Sequence, residues 1–167
     1  RLVAMPRLRL ALAQTNPIVG DLAGNSAQLI AAARRAHESG ADLLAAGEMA
    51  ISGYPIEDLA GNPTFLAACH SAVLRLAQEL EGAGLGDLPM IVGHPDGPFA
   101  PRLDGTSNAP TAIAQNRASV LHHGRIVASY TKHHLPNYLV FDEYRNFTPG
   151  DDLLVLSGAS ATYEFKG

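Results

Sequence analysis

Apolar residues fall along this chain in two textures, short unbroken runs and longer segments with a three-to-four-residue recurrence. The runs "LRLALAQ" (8–14), "ADLLAAGE" (41–48) and "LPMIVGHP" (88–95) have the length and continuity of buried strands. Between the first two lies "GNSAQLIAAARRAHESG" (24–40), where Leu29, Ile30, Ala33 and Ala36 line one face of a helix. Asn25 or Ser26 can cap its start, and Gly40 stops it. "ISGYPIEDLAGNP" (51–63) is a turn-rich connection. A long helix follows, with Asn62 as its cap and Pro63 in its first turn. Its stripe is Leu66, Cys69, Val73, Leu76 and Leu80.

The second half has a different texture. "GPFAPRLDGTSNAPTA" (97–112) is a polar loop bearing Pro and Gly. "NRASVLHHGRIVASYTK" (116–132) predicts two strands hinged on His123-Gly124, a hairpin. "DLLVLS" (152–157) and "ATYEFKG" (161–167) predict further strands. The order β-α-β-α-β, then strands, predicts an α/β sheet with helices on one face.

Composition narrows the class. The chain has 167 residues, 47% of them hydrophobic, and a formal net charge of -4, which fits one domain with a real core. Only 12 residues are Lys or Arg, and they form no run, so nucleic acid and anionic membrane are not expected partners. No run approaches the ~20 apolar residues of a membrane span, and "RLVAMPRLRL" lacks the apolar core and cleavage site of a secretory signal. A cytoplasmic protein is the expectation, with residues 1–7 as an extra segment ahead of the domain and Met5 as a candidate natural start. The single cysteine, Cys69, excludes an internal disulfide and any multi-cysteine metal site.

Candidate chemistry concentrates at strand ends, where sites gather in open α/β sheets. Glu48 ends the second apolar run, with Gly47 letting the backbone turn; it is a candidate general base, or else a solvated carboxylate. Lys132 ends the hairpin; it can hold an oxyanion if a carboxylate keeps it charged, or else it snorkels at the surface. Cys69 lies mid-stripe and reads as a buried structural thiol. Neighbouring strand residues face opposite ways, so His122-His123 and His133-His134 are not expected to converge on a metal. "GLGDLPMIVG" lacks the spacing of a phosphate-binding loop, and Arg34 and Arg35 sit on a solvated helix face.

Four segments carry a resemblance: "LALAQTNPIVGDLAGN", "GEMAISGYPIEDL", "NRASVLHHGRIVASYTKHHLPNY" and "VFDEYRNFTPG". From about Leu8 onward the chain resembles the nitrilase, or carbon–nitrogen hydrolase, superfamily. Within it, the chain is similar to the amino-terminal glutaminase domains of bacterial glutamine-dependent NAD+ synthetases. The resemblance implies the first part of an α-β-β-α sandwich over residues 8–167. It implies a Glu-Lys-Cys triad with Glu48 as base and Lys132 as stabiliser of the tetrahedral intermediate. Glu143 would support the lysine, and Tyr138 would help hold glutamine. A cysteine thiolate attacks the amide in that family, and a thioester is hydrolysed. The cysteine's position falls beyond Gly167, and Cys69 does not match it. The remaining implications concern a longer parent. They are a synthetase domain that amidates deamido-NAD+ with ATP and Mg2+, homo-oligomerisation, and no cofactor held by this segment.

The chain departs from the family pattern at Gly47, where proline is usual, at Leu139, where glycine is common, and at Asn146, which replaces an aromatic. Two alternatives stay open, a stand-alone amidase of the same superfamily and a non-catalytic remnant or assembly module. Half of a face-to-face sandwich would leave apolar sheet surface uncovered, so the segment alone is expected to self-associate.

Overall fold

The computed structural model describes residues 7–100, 112–139, 141–151, 153–157 and 162–165. The segment ahead of Arg7, most of the polar loop 97–112, and Gly167 lie outside the described residues. The strands are β1 (Leu10–Ala13), β2 (Leu43–Ala46), β3 (Met90–Asp96), β4 (Gln115–His122), β5 (Arg125–Thr131), β6 (Leu154–Ser157) and β7 (Thr162–Phe165). The helices are α1 (Leu22–Glu38), α2 (Pro63–Gly82) and the single turn α3 (Glu143–Asn146). β1 to β5 form one sheet in sequence order; β1, β2 and β3 are parallel, and β4 and β5 return antiparallel. β6 and β7 pair antiparallel as a separate ribbon.

Both long helices pack on one face of the sheet. Leu29, Ala33 and Ala36 of α1 and Val73, Leu76 and Leu80 of α2 share a core with Leu44, Met90, Val92 and Leu121. The predicted stripe of α2 is buried throughout, Leu66, Cys69 and Val73 at 0% exposure. Each such side chain contributes roughly 1.5–3 kcal/mol. Asn62 caps α2 as expected, its Oδ1 accepting from the amides of Thr64 and Phe65 at 3.0 and 3.2 Å. The hairpin turn falls on His123 and Gly124 with φ of 48° and 72°, the left-handed pair that a two-residue turn between twisted strands requires.

α1 differs from its predicted start. Asp21 is the cap, accepting from Gly24 N at 2.9 Å, and the helix begins at Leu22. Asn25 lies one turn inside, 1% exposed. Its side chain accepts from Ile18 N and donates to the carbonyls of Ile18 and Ile51, tying two loops to the helix. Asparagine suits that task for the same reason it suits a cap, a short side chain with both donor and acceptor.

The other face of the sheet is the one without helices. Leu10 and Leu12 point there and are 48% and 67% exposed. A second apolar cluster forms beyond the strand ends, where Met49, Ile56, Ala60, Leu66, Ala114, Leu135 and Phe147 are buried together. It anchors the segments that carry Glu48 and Glu143.

Candidate active site

The carboxyl ends of β2, β3 and β5 lie together with the start of β4, because β4 runs back along β3 and β5 returns along β4. Glu48 stands two residues beyond β2 and Lys132 one beyond β5. The Lys132 ammonium donates to Glu48 Oε1 at 3.1 Å and Oε2 at 3.3 Å, and to Glu143 Oε2 at 3.0 Å. Two residues the sequence reading left without a role complete the cluster. Asn116 Nδ2 donates to Glu48 Oε1 at 2.7 Å, and the Tyr54 hydroxyl donates to Glu143 Oε1 at 3.3 Å.

Backbone contacts fix each member. The Lys132 amide donates to Asn116 O at 2.8 Å, and its carbonyl accepts from Gly150 N at 3.1 Å. Gly150 is needed there, since a Cβ would lie 2.5 Å from Thr131 Cβ. Beside Glu48 the turn is made by Met49, at φ 54° and fully buried. Gly47, expected to make that turn, has neither a positive φ nor a crowded Cβ position. The close approach belongs to Gly93 of β3, where a Cβ would sit 2.5 Å from Gly47 O and 2.8 Å from Glu48 Cα. A non-glycine residue held at positive φ beside a site is strain that the surrounding packing sustains.

The charges do not balance, with two carboxylates sharing one ammonium. Burial works to lower the Lys132 pKa, but the hydrogen bonds and charges of Glu143 and Glu48 outweigh it and hold the ammonium above the ordinary lysine value. Burial pushes the Glu143 carboxyl above the usual range; Lys132 opposes this and the Glu48 charge adds to it. The excess negative charge thus weighs on the buried acid, whose side chain is 4% exposed against 45% for Glu48. Burial and Glu143 push the Tyr54 hydroxyl up to about 12, keeping it a donor. Glu48, Asn116, Lys132, Ile91 and Tyr130 face an open hollow of about 280 Å³.

Two named residues stand elsewhere. Tyr138 is 63% exposed with its ring against Phe141 at 5.6 Å, and no hydrogen bond among the described residues joins it to the cluster. Cys69 is buried in α2, and burial, with Asp96 nearby, pushes its thiol up to about 12. Both are the opposite of a reactive thiol. Within each histidine pair the rings meet instead of facing opposite ways. The rings of His122 and His123 lie 3.9 Å apart, and those of His133 and His134 4.5 Å, because one member of each pair or both lie outside regular strand. No group of metal-ligating side chains occurs among the described residues.

The sheet that carries this cluster has the element order of an α/β protein, and residues 9–163 match the carbon–nitrogen hydrolase family. The chain belongs to that family. It is 38% identical over 152 residues to the glutamine-dependent NAD(+) synthetase of Thermotoga maritima, covering 91% of this chain and 24% of that protein. With the synthetase of the same name from Xanthomonas campestris it is 40% identical over 148 residues, covering 87% and 23%. The structure of the Acinetobacter baumannii synthetase superposes with a TM-score of 0.73 at 29% identity over 94% of this chain and 27% of that one. An amidase from Nesterenkonia sp. shares the fold at a TM-score of 0.70, 24% identity, 94% and 54% coverage. The chain therefore spans about a quarter of the length of the curated relatives it matches.

Proposed function

We propose that this chain is the base-and-lysine part of a glutamine amidohydrolase site, and that the longer protein carrying it is a glutamine-hydrolysing NAD+ synthetase. The observation that carries the reading is Lys132, held charged between Glu48 and Glu143 over an open hollow. Glu48 would take the proton of a cysteine thiol. Lys132 would hold the oxyanion as the thiolate adds to the amide. Glu143 keeps the lysine placed and charged, and Tyr138 would reach glutamine from the rim. The ammonia released would serve amidation of deamido-NAD+ in a separate ATP- and Mg2+-dependent domain. The curated relatives at 38% and 40% identity are both synthetases, which favours the synthetase over a stand-alone amidase.

Cys69 cannot be the nucleophile in this reading, so the 167-residue chain alone should hydrolyse no glutamine. The protein read from the longer frame should release ammonia from glutamine and lose that activity on Glu48→Gln. Hydrolysis by the short chain that survives Cys69→Ser, or full activity of Glu48→Gln, would sink the proposal.

A further inference from the structure

We infer that Asn116 is a positioning residue for the base, fixing which oxygen of Glu48 is free to accept a proton. The inference rests on the reading of Glu48 as a base. Asn116 is the second residue of β4 and 4% exposed. It sits on the helix-free face, where the alternation Asn116, Ala118, Val120 would otherwise be apolar. Its amide nitrogen lies 2.7 Å from Glu48 Oε1. The orientation is dictated by chemistry, since an ionised carboxylate only accepts and the amide oxygen in that place would repel it. The ammonium of Lys132 also reaches Oε1, at 3.1 Å, so that oxygen already receives two donors. Of these two donors Oε2 receives only the longer Lys132 contact, at 3.3 Å; the Glu143 carboxyl also lies within reach of Glu48, but an ionised carboxylate donates nothing. Oε2 is the oxygen with capacity left for an incoming proton.

Asn116 does this from both ends. Its backbone carbonyl accepts from the Lys132 amide at 2.8 Å while its side chain holds Glu48. One residue of β4 therefore sets the base and the cation relative to each other. Glu143 also touches both, but with its side chain alone. Lys132 already touches both oxygens, and without the amide nothing else among the described residues holds Oε1, so Glu48 could rotate to bring Oε2 into the shorter contact and lose its free basic oxygen.

The test uses the longer protein with Asn116→Asp, which keeps shape and removes the donor, and Asn116→Leu, which removes polarity. Each should lower kcat for glutamine about 100-fold, as misplacement of a reacting group does, with KM changed less than threefold. Crystal structures of the variants should show the Glu48 carboxylate turned from its wild-type orientation. Activity within threefold of wild type in either folded variant would overturn the inference. So would a rise in KM at unchanged kcat, which would make Asn116 a substrate-binding group. An unmoved Glu48 carboxylate in Asn116→Asp would overturn it too, and decides the matter if Asn116→Leu does not fold. A wild-type protein that cleaves no amide would defeat the proposed function instead, while the crystallographic comparison would still judge the hold of Asn116 on Glu48.

Discussion

Two ionic clusters sit at the same end of the sheet and are built to opposite ends. One joins Glu48, Lys132, Glu143, Asn116 and Tyr54; the other joins Asp96, Arg117 and His70. Asp96 is saturated, receiving Arg117 at 2.8 Å, His70 at 3.0 Å and Gly97 N at 3.0 Å. Burial works to raise its pKa, but Arg117 and its other partners hold the carboxyl below the usual range. Arg117 is in turn shared with Thr131 and stacked over Phe99, 5.6 Å from its centroid. The first cluster has an excess acid, a half-open carboxylate and a strained neighbour in Met49. A cluster whose charges are all spent on one another holds strands together. A cluster with unspent charge facing a hollow is available to a ligand.

The largest expected effect separates the two directly. In the longer protein, Lys132→Met should cut glutamine hydrolysis about 10³-fold, the scale for losing a preorganised donor to an oxyanion. Arg117→Met should cost about 2 kcal/mol of stability by taking one charged donor from Asp96, which keeps His70 and Gly97 N, with kcat falling less than tenfold. Ammonia release and urea titration read the two quantities. A reversal, with Arg117 governing turnover and Lys132 only stability, would erase the distinction.

Acidification probes the neighbouring buried histidine. His94 is 0% exposed; its Nδ1–H donates to Pro95 O at 3.1 Å, and its Nε2 accepts from Ser119 Oγ at 2.8 Å. The carbonyl can only accept, which fixes this tautomer. Burial pushes its pKa down to about 4 from the usual 6.5. Above pH 6.5 neither state is protonated there and His94 contributes nothing to the pH dependence. Below it the unfolded chain takes up the proton first, so stability falls between about 6.5 and 4, by on the order of 3 kcal/mol. Urea titrations at pH 7 and 4.5 measure this, and His94→Gln should flatten the difference. A wild type equally stable at both values would show the histidine to be charged in the fold.

The sequence made most of the helix-backed sheet legible, because periodicity reports which face is buried. Leu66 to Leu80 and the Asn62-Pro63 cap needed only spacing and cap chemistry. What escaped were polar side chains whose partners are distant in the chain. Asn25 looks like a cap, yet its partners are loop carbonyls. Tyr54 and Asn116 reach Glu143 and Glu48 across 89 and 68 residues, which no local rule anticipates. Asn116 did leave one trace, a polar residue in an alternating row of apolar ones. Glu48 and Lys132 were visible as candidates from their strand ends. Only the folded sheet brings them within hydrogen-bonding distance.

A smaller effect tests the placement of the thiol. Cys69→Ser puts a hydroxyl into an apolar helix interface and should cost about 1–2 kcal/mol, without changing glutamine turnover in the longer protein. Urea titration and ammonia release read both. Loss of turnover at intact stability would move Cys69 from the core to the chemistry.

The smallest effect concerns Leu139, the residue after Tyr138. Its φ is 55° and its side chain is 95% exposed, so it carries the left-handed strain with no burial in return. A backbone with this φ is one that glycine adopts without steric cost. Relief of the strain is worth about 1 kcal/mol or somewhat more, against about 0.4–1 kcal/mol from the greater freedom of glycine when unfolded. Leu139→Gly should therefore stabilise the fold by about 0.5 kcal/mol or less, a shift that a urea midpoint resolves. The same change touches none of the groups around Lys132, so the distinction between the two ionic clusters should survive it. A destabilisation of about 1 kcal/mol would mean that the leucine is covered in solution by something that buries it.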